Sequence, residues 1–248
     1  MKTACRFAAL VSVSVLLVFA VALLYSGNSA IAAADGQITG TIKLDGQPPH
    51  QKPIDMSKDP SCAKTGSGAP PAGESVVVGA NGGLANVVVY ISQGLTGSEP
   101  VASQPVKMEQ KGCQYSPHVV AMNVGQHLTV LNDDKTAHNI HPEPKPGGGN
   151  IPWNKSQLEG SPALDVTWSN PEIAIPVKCN IHPWMHAYIA VVKGPFSISS
   201  NAGSFQLDNV APGTYTLTAW HETYGTQTQS VTVAAGKPTT ANFSFKAK

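Results

Sequence analysis

Alternating apolar and polar positions run through most of the chain, in short stretches separated by Gly, Pro, Asn and Asp. A period of two over four to eight residues predicts strands with one buried face. Gln37-Ile38-Thr39-Gly40-Thr41-Ile42-Lys43-Leu44 is the first such stretch, closed by Asp45-Gly46. Residues 46–73 are rich in Pro, Gly, Ser and Lys and predict an irregular excursion. Strands are expected next at 74–78 and 86–91, then a loop over 92–105. A denser series follows at 106–112, 118–124, 126–132, 138–142, 165–169, 172–177 and 187–192. A long loop covers 143–165, with a short strand near 151–154. After Gly194-Pro195 come short alternating strands at 196–198, 203–207, 213–220, 227–233 and 240–245. No helix of useful length is predicted after residue 34. The expected class is all-β, folded as sandwiches.

The start of the chain has a different pattern. Lys2 and Arg6 flank the beginning of an apolar and small-residue run from Phe7 to Tyr25, and Ala32-Ala33-Ala34 precedes Asp35. This predicts a signal peptide over residues 1–34. The run approaches the ~20 residues of a membrane span, so an uncleaved anchor is the alternative. Either reading places residues 35–248 outside the cytoplasm, in the periplasm or the extracellular space. Membrane contact is expected only if the segment is retained. Formal net charge is +1, and the only arginine is Arg6. The rest of the chain lacks the fork-shaped donor suited to phosphate. It has no basic stripe, so nucleic acid is not an expected partner. Phosphate-loop and dinucleotide fingerprints are absent.

Cysteine usage narrows the chemistry. Of the 4 cysteines, Cys5 falls in the leader, which leaves Cys62, Cys113 and Cys179. Exported chains tend to pair their cysteines. A Cys62–Cys113 disulfide with a metal-bound Cys179 thiolate explains the odd number. A free buried thiol at Cys179 explains the count equally well. The neighbours of Cys179 break the tie. Cys179, His182 and Met185 recur at three-residue intervals, so thiolate, imidazole and thioether can reach one ion. Two His and one Cys with a weak axial Met suit copper. His138, just after an apolar strand and a polar turn, supplies the missing imidazole. Zinc is the rival, since it also takes Cys and His. Met185 argues against it.

The remaining histidines are weighed separately. His141 lies three residues past His138 and points to the opposite strand face. It is expected to be structural or exposed. His186 is expected at the surface. His118 sits on a strand face and leaves room for a second, weak metal site. His50, His127 and His221 belong to no constellation.

Two resemblances follow from these motifs. Residues Cys179 to Met185, with Pro183 after His182, resemble the ligand loop of amicyanin. Asn132-Asp133-Asp134-Lys135-Thr136-Ala137-His138-Asn139-Ile140-His141 resembles the upstream ligand segment of amicyanin and plastocyanin. Tyr115-Ser116-Pro117 and Val124 to Val130 resemble the cupredoxin strands leading into it. The likeness covers about residues 106–193. It implies one copper held by His138, Cys179, His182 and Met185, with Asn139 steadying the ligand loop. It also implies an exposed His182 edge as the rim where electrons pass; Trp184 packs either near that rim or simply in the core. Ala137 replaces the usual proline, and the 143–165 loop is unusually long. Separately, Gly203 to Leu217 resembles carboxypeptidase regulatory-like domains, which are small prealbumin-like sandwiches. Gly36 to Pro48 and Ala85 to Tyr90 resemble strands of the same family. A cupredoxin-like Greek-key sandwich at 105–193 is then expected to interrupt a second sandwich built from 35–104 and 194–248. Two sequential domains are the alternative.

The expected function is one-electron transfer by an exported blue copper protein, with unidentified redox proteins as donor and acceptor. It is not expected to be an enzyme. A copper-storage protein without redox partners is one alternative. A structural or carbohydrate-binding envelope protein with a vestigial metal site is another.

Overall fold

The computed structural model describes residues 35–63, 71–96 and 102–248. The leader expected over 1–34 lies outside the described residues. Strands dominate, and Pro60–Ala63 is the one α-helix among the described residues.

One sandwich is assembled from both ends of the chain. Gly36–Asp45 pairs antiparallel with Ser204–Val210 and parallel with Pro238–Thr240 and Phe243–Lys246. In the facing sheet, Val88–Gln93 lies between Phe196–Ile198 and Gly213–His221, and the latter pairs with Gly225–Val233. Alternation along these strands delivers Ile38, Ile42, Val89, Ile91, Leu207 and Leu217 to one core.

The chain between them forms a second sandwich. Its five-stranded sheet runs in the order Val119–Asn123, His186–Val192, Glu172–Lys178, His138–Pro142 and Lys155–Gln157. Its other sheet runs Gln114–Ser116, Val106–Lys111, Leu128–Asn132 and Leu164–Val166. Met108, Met122, Leu128, Ile140, Ile175 and Ile189 fill the space between. Val119–Asn123 and His186–Val192 pair in parallel, as do Val106–Lys111 and Leu128–Asn132, so the chain crosses from sheet to sheet. The fold is all-β: a cupredoxin-like Greek-key sandwich with a smaller prealbumin-like one. Val88, Val119, Ala121, Ala190 and Trp220 form a third apolar cluster where the two meet.

Three sequence expectations need correction. No strand forms over 74–78: the turn at 79–83 closes too early, leaving a single bridge between Val78 and Leu84. Gly79 is required there, because a Cβ would meet the Asn201 carbonyl oxygen at 1.9 Å. The short strand expected near 151–154 lies instead at Lys155–Gln157, beyond Pro152, which has no N–H to give a ladder. Finally, the excursion, expected as part of the second sandwich, sends side chains into the other one. Ile54, Met56 and Cys62 join the core of the cupredoxin-like sandwich. A disulfide from Cys62 to Cys113 fixes them there.

His221 ends a strand in the prealbumin-like module and is 1% exposed. Its Nδ1 accepts the Thr223 N–H at 3.1 Å, which requires an unprotonated nitrogen. Its ring stacks on Tyr224. Burial, with His118 nearby, depresses its pKa to about 4 against an opposing pull from Glu222. The unfolded chain therefore binds more protons between pH 6.5 and 4, and stability falls as pH drops through that window. Denaturant unfolding at pH 7 and pH 4.5 should show the wild type losing about 2 kcal/mol more than His221→Gln. Equal losses would contradict this role.

Candidate metal centre

Strand register sets the site. Glu172–Lys178 pairs with His138–Pro142 through Lys178 opposite His141, and with His186–Val192 through Lys178 opposite His186. Residues 179–185 therefore form a closed loop at the same sheet end as His138. Inside the loop, Cys179 N–H donates to the Met185 carbonyl at 3.2 Å, and Met185 N–H to the His182 carbonyl at 2.9 Å. His182 N–H points at Cys179 Sγ, 3.4 Å away.

His138, Cys179, His182 and Met185 are all buried. One donor atom each from His138, Cys179 and His182 lies within 4.8 Å of the other two. Met185, in the same loop, packs in the cupredoxin-like core with Cys179. Asn139 serves the loop rather than the cluster. Its Oδ1 accepts the Asn180 N–H at 2.7 Å and lies 3.4 Å from Cys179 Sγ. Its Nδ2 donates to Asn154 and Asn180. Tyr115 OH donates to the Asn139 carbonyl, fixing the backbone beside His138.

The imidazoles carry the decisive geometry. His138 Nε2 lies 2.8 Å from Asp134 Oδ2, and His182 Nε2 lies 2.9 Å from Asp59 Oδ2. An ionised carboxylate only accepts, so both Nε2 atoms bear hydrogen. In neutral rings both Nδ1 atoms then present lone pairs. Yet the two Nδ1 atoms face each other at 2.9 Å. Two lone pairs at that distance repel, and only a cation resolves the arrangement. A proton or a metal ion fits, so the residues present suit a metal.

The titration shifts have the same origin. Burial lowers the His138 pKa, but Asp134 and Cys179 outweigh it and push it up to about 9. Burial raises the Cys179 pKa, but His138 and the backbone N–H groups of Asn139, His182 and Ile181 bring it down to about 6. The thiolate form is thus favoured near neutrality, as metal binding requires. For Asp134, burial is outweighed by bonds from His138, Cys113 and Gly112, leaving the pKa low. The Asp59 pKa is lowered chiefly by its bond to His182.

Asp59 and Asp134 are the residues that sequence reasoning missed. Asp134 lies four residues before His138. It receives the N–H groups of Gly112 and Cys113 at 2.7 and 2.8 Å, which ties the disulfide turn to the ligand strand. Asp59 lies in the excursion, three residues before the Cys62 half of the disulfide. No local sequence pattern marks either carboxylate as a partner of a histidine. Two further groupings, Asp59 with Cys62 and His182, and Cys113 with Asp134 and His138, include sulfurs already joined in that disulfide. They are not separate ligand sets.

One expectation is corrected. The edge of His182 is not exposed: the residue is 1% accessible, and Asp59 covers its Nε2. Trp184 does pack on it, with ring centroids 5.0 Å apart, and donates Nε1–H to the Cys113 carbonyl at 3.0 Å. His141 stands outside the cluster, bonded to Asn180 Oδ1 at 3.0 Å.

The carboxypeptidase regulatory-like domain family matches residues 186–246. That match begins in the cupredoxin-like sheet, eight residues before the boundary expected at 194. No curated protein matches the chain. Among solved structures, the Cu-containing nitrite reductase NirK from Thermus scotoductus SA-01 is 21% identical with a TM-score of 0.32. It covers 40% of this chain, and this chain spans 24% of its length. A novel purple cupredoxin from Nitrosopumilus maritimus is 22% identical, with a TM-score of 0.30, covering 35% of this chain and 99% of its own. An oxidized amicyanin mutant is 17% identical, with a TM-score of 0.32, covering 42% of this chain and 98% of its own.

Removing the carboxylate that orients a ligand ring should weaken metal binding. Asp134→Ala is expected to lower the affinity for Co(II), a spectroscopic probe of these donors, by about 10- to 100-fold. A Co(II) titration with unchanged affinity would show that Asp134 only braces the disulfide turn.

Proposed function

We propose that the chain binds one copper ion through His138, Cys179, His182 and Met185 and carries single electrons between redox proteins outside the cytoplasm. The observation that supports this most is the facing pair of imidazole nitrogens beside a thiol biased toward thiolate. A set of two imidazoles and one thiolate, with a thioether in the same loop, is the donor chemistry of electron-transfer copper. A thioether is a poor ligand for zinc, which weighs against the rival metal.

Copper, when bound, supplies the one-electron chemistry by alternating between Cu(I) and Cu(II). The chain does the rest. Asp134 and Asp59 hold the two rings by their outer nitrogens. Asn139 anchors the loop that presents Cys179. The apolar core around Met185 and Cys179 excludes water. Trp184, half-buried against His182, is the aromatic surface adjoining the site and the proposed contact for redox partners. Such contacts are small and transient. The Cys62–Cys113 disulfide supports an oxidising compartment and hence export. Nothing in this scheme asks for catalysis.

The cover over His182 favours a second reading, a copper-holding protein with no redox partner. A reversible one-electron couple in a redox titration distinguishes the two, since a storage protein needs none.

Adding Cu(II) should produce an intense visible thiolate-to-copper band. Cys179→Ser should abolish it and leave an all-β circular dichroism spectrum. His141→Ala should leave the band unchanged. A colourless copper complex would contradict the proposed donor set. Loss of the band in His141→Ala would mean that the wrong upstream histidine has been assigned.

A further inference from the structure

A second cluster of donors lies where the two sandwiches meet, sharing no residue with the first. His118 adjoins Val119–Asn123, and His186 opens His186–Val192, so both belong to the cupredoxin-like module. Glu222 follows His221 in the prealbumin-like module. One donor atom each from His118, His186 and Glu222 lies within 4.8 Å of the other two. Glu74 joins them from the turn region, with Oε2 3.7 Å from His118 Nδ1.

The polarity of this cluster calls for a positive charge among its side chains, either a proton on His118 or a metal ion. His118 is 3% exposed. Its Nε2 lies 2.5 Å from Glu222 Oε1, while its Nδ1 is buried with no hydrogen-bond partner. A neutral imidazole carries one hydrogen and faces a carboxylate on each side. Whichever nitrogen holds it, the other aims a lone pair at a carboxylate. An unpaired buried polar atom is costly, and a native one calls for an explanation. His186 is already arranged as a donor. Its Nδ1 lies 3.0 Å from the Trp184 carbonyl, which accepts, so Nδ1 bears the hydrogen and Nε2 is left with a lone pair. A histidine fixed in this way by a carbonyl is a common metal ligand. His186 is exposed and Glu74 partly so, which leaves an ion a route in from solvent.

We propose that His118, His186 and Glu222, with Glu74 beside them, form a second metal site for a divalent first-row transition ion. Two imidazoles and carboxylate oxygens suit Zn(II), Ni(II) or Cu(II) and contrast with the sulfur-containing first centre. Ligand bonds near 2.0–2.2 Å match the span of the cluster after small side-chain shifts. Because the ligands come from both sandwiches, the ion cross-links them beside the apolar cluster in which Val88 and Trp220 of one join Val119, Ala121 and Ala190 of the other. A bound ion then stabilises the folded pair by mass action.

The test uses the full chain with Cys179→Ala, so its outcome does not depend on the copper proposal. Zinc is counted after dialysis against buffered micromolar Zn(II), and the unfolding temperature is followed with and without zinc. Zinc is expected to be retained and to raise the unfolding temperature. His186→Ala, at an exposed position, should weaken retention by more than about tenfold and remove the thermal shift. Glu222→Gln should do the same, and His141→Ala should do neither. If no zinc is retained, the cluster is a protonated tie between modules and the proposal fails. If zinc is retained equally with His186→Ala and Glu222→Gln, the ion lies elsewhere and the proposal also fails.

Discussion

Two histidines pinned from outside are the constraint on which the site depends. Asp134 holds one ring and Asp59 the other, each by its outer nitrogen. This leaves the inner nitrogens facing each other at 2.9 Å beside the Cys179 sulfur, an arrangement that a proton or a metal ion satisfies. A binding site is usually inferred from the donors gathered around it. Here the orientation of those donors makes a stronger statement, because the arrangement is unfavourable without a cation. Cys179, biased toward thiolate, adds negative charge beside the two rings.

The rest of the cupredoxin-like sandwich reads as a frame for that geometry. Cys113 is its junction. Its sulfur bonds to Cys62, its N–H donates to Asp134, and its carbonyl accepts from Trp184. A single turn thus connects the excursion that carries Asp59, the carboxylate behind His138 and the aromatic ring over His182. The two carboxylates are otherwise far apart in sequence. The disulfide brings them to opposite sides of one site, and the cover over His182 follows from the same link.

Much of this was legible in the sequence, and the parts that were not have physical reasons. Alternation predicted most strands, because a half-buried strand must alternate. That His138, Cys179 and His182 come together was legible because the chemistry of a metal site restricts residue type and spacing. Asn139 was legible only through resemblance. Asp59 was hidden because no local pattern marks an irregular loop as a ligand's partner; only three-dimensional pairing across the disulfide does. The packing of Ile54 and Met56 was hidden for the same reason. The 74–78 stretch alternates as a strand should, but pattern cannot show that the following turn denies it a partner. His118 was noted as a metal candidate on its own, while Glu222 and Glu74 come from the other module and were out of view.

The central claim is that a metal sits between His138, His182 and Cys179. Copper-edge X-ray absorption on the copper-loaded chain tests it most directly, because it reports the atoms bonded to the ion. The account predicts two nitrogen neighbours and one short-bonded sulfur, with the sulfur lost in Cys179→Ser. A shell of nitrogen and oxygen alone in the unaltered chain would contradict it.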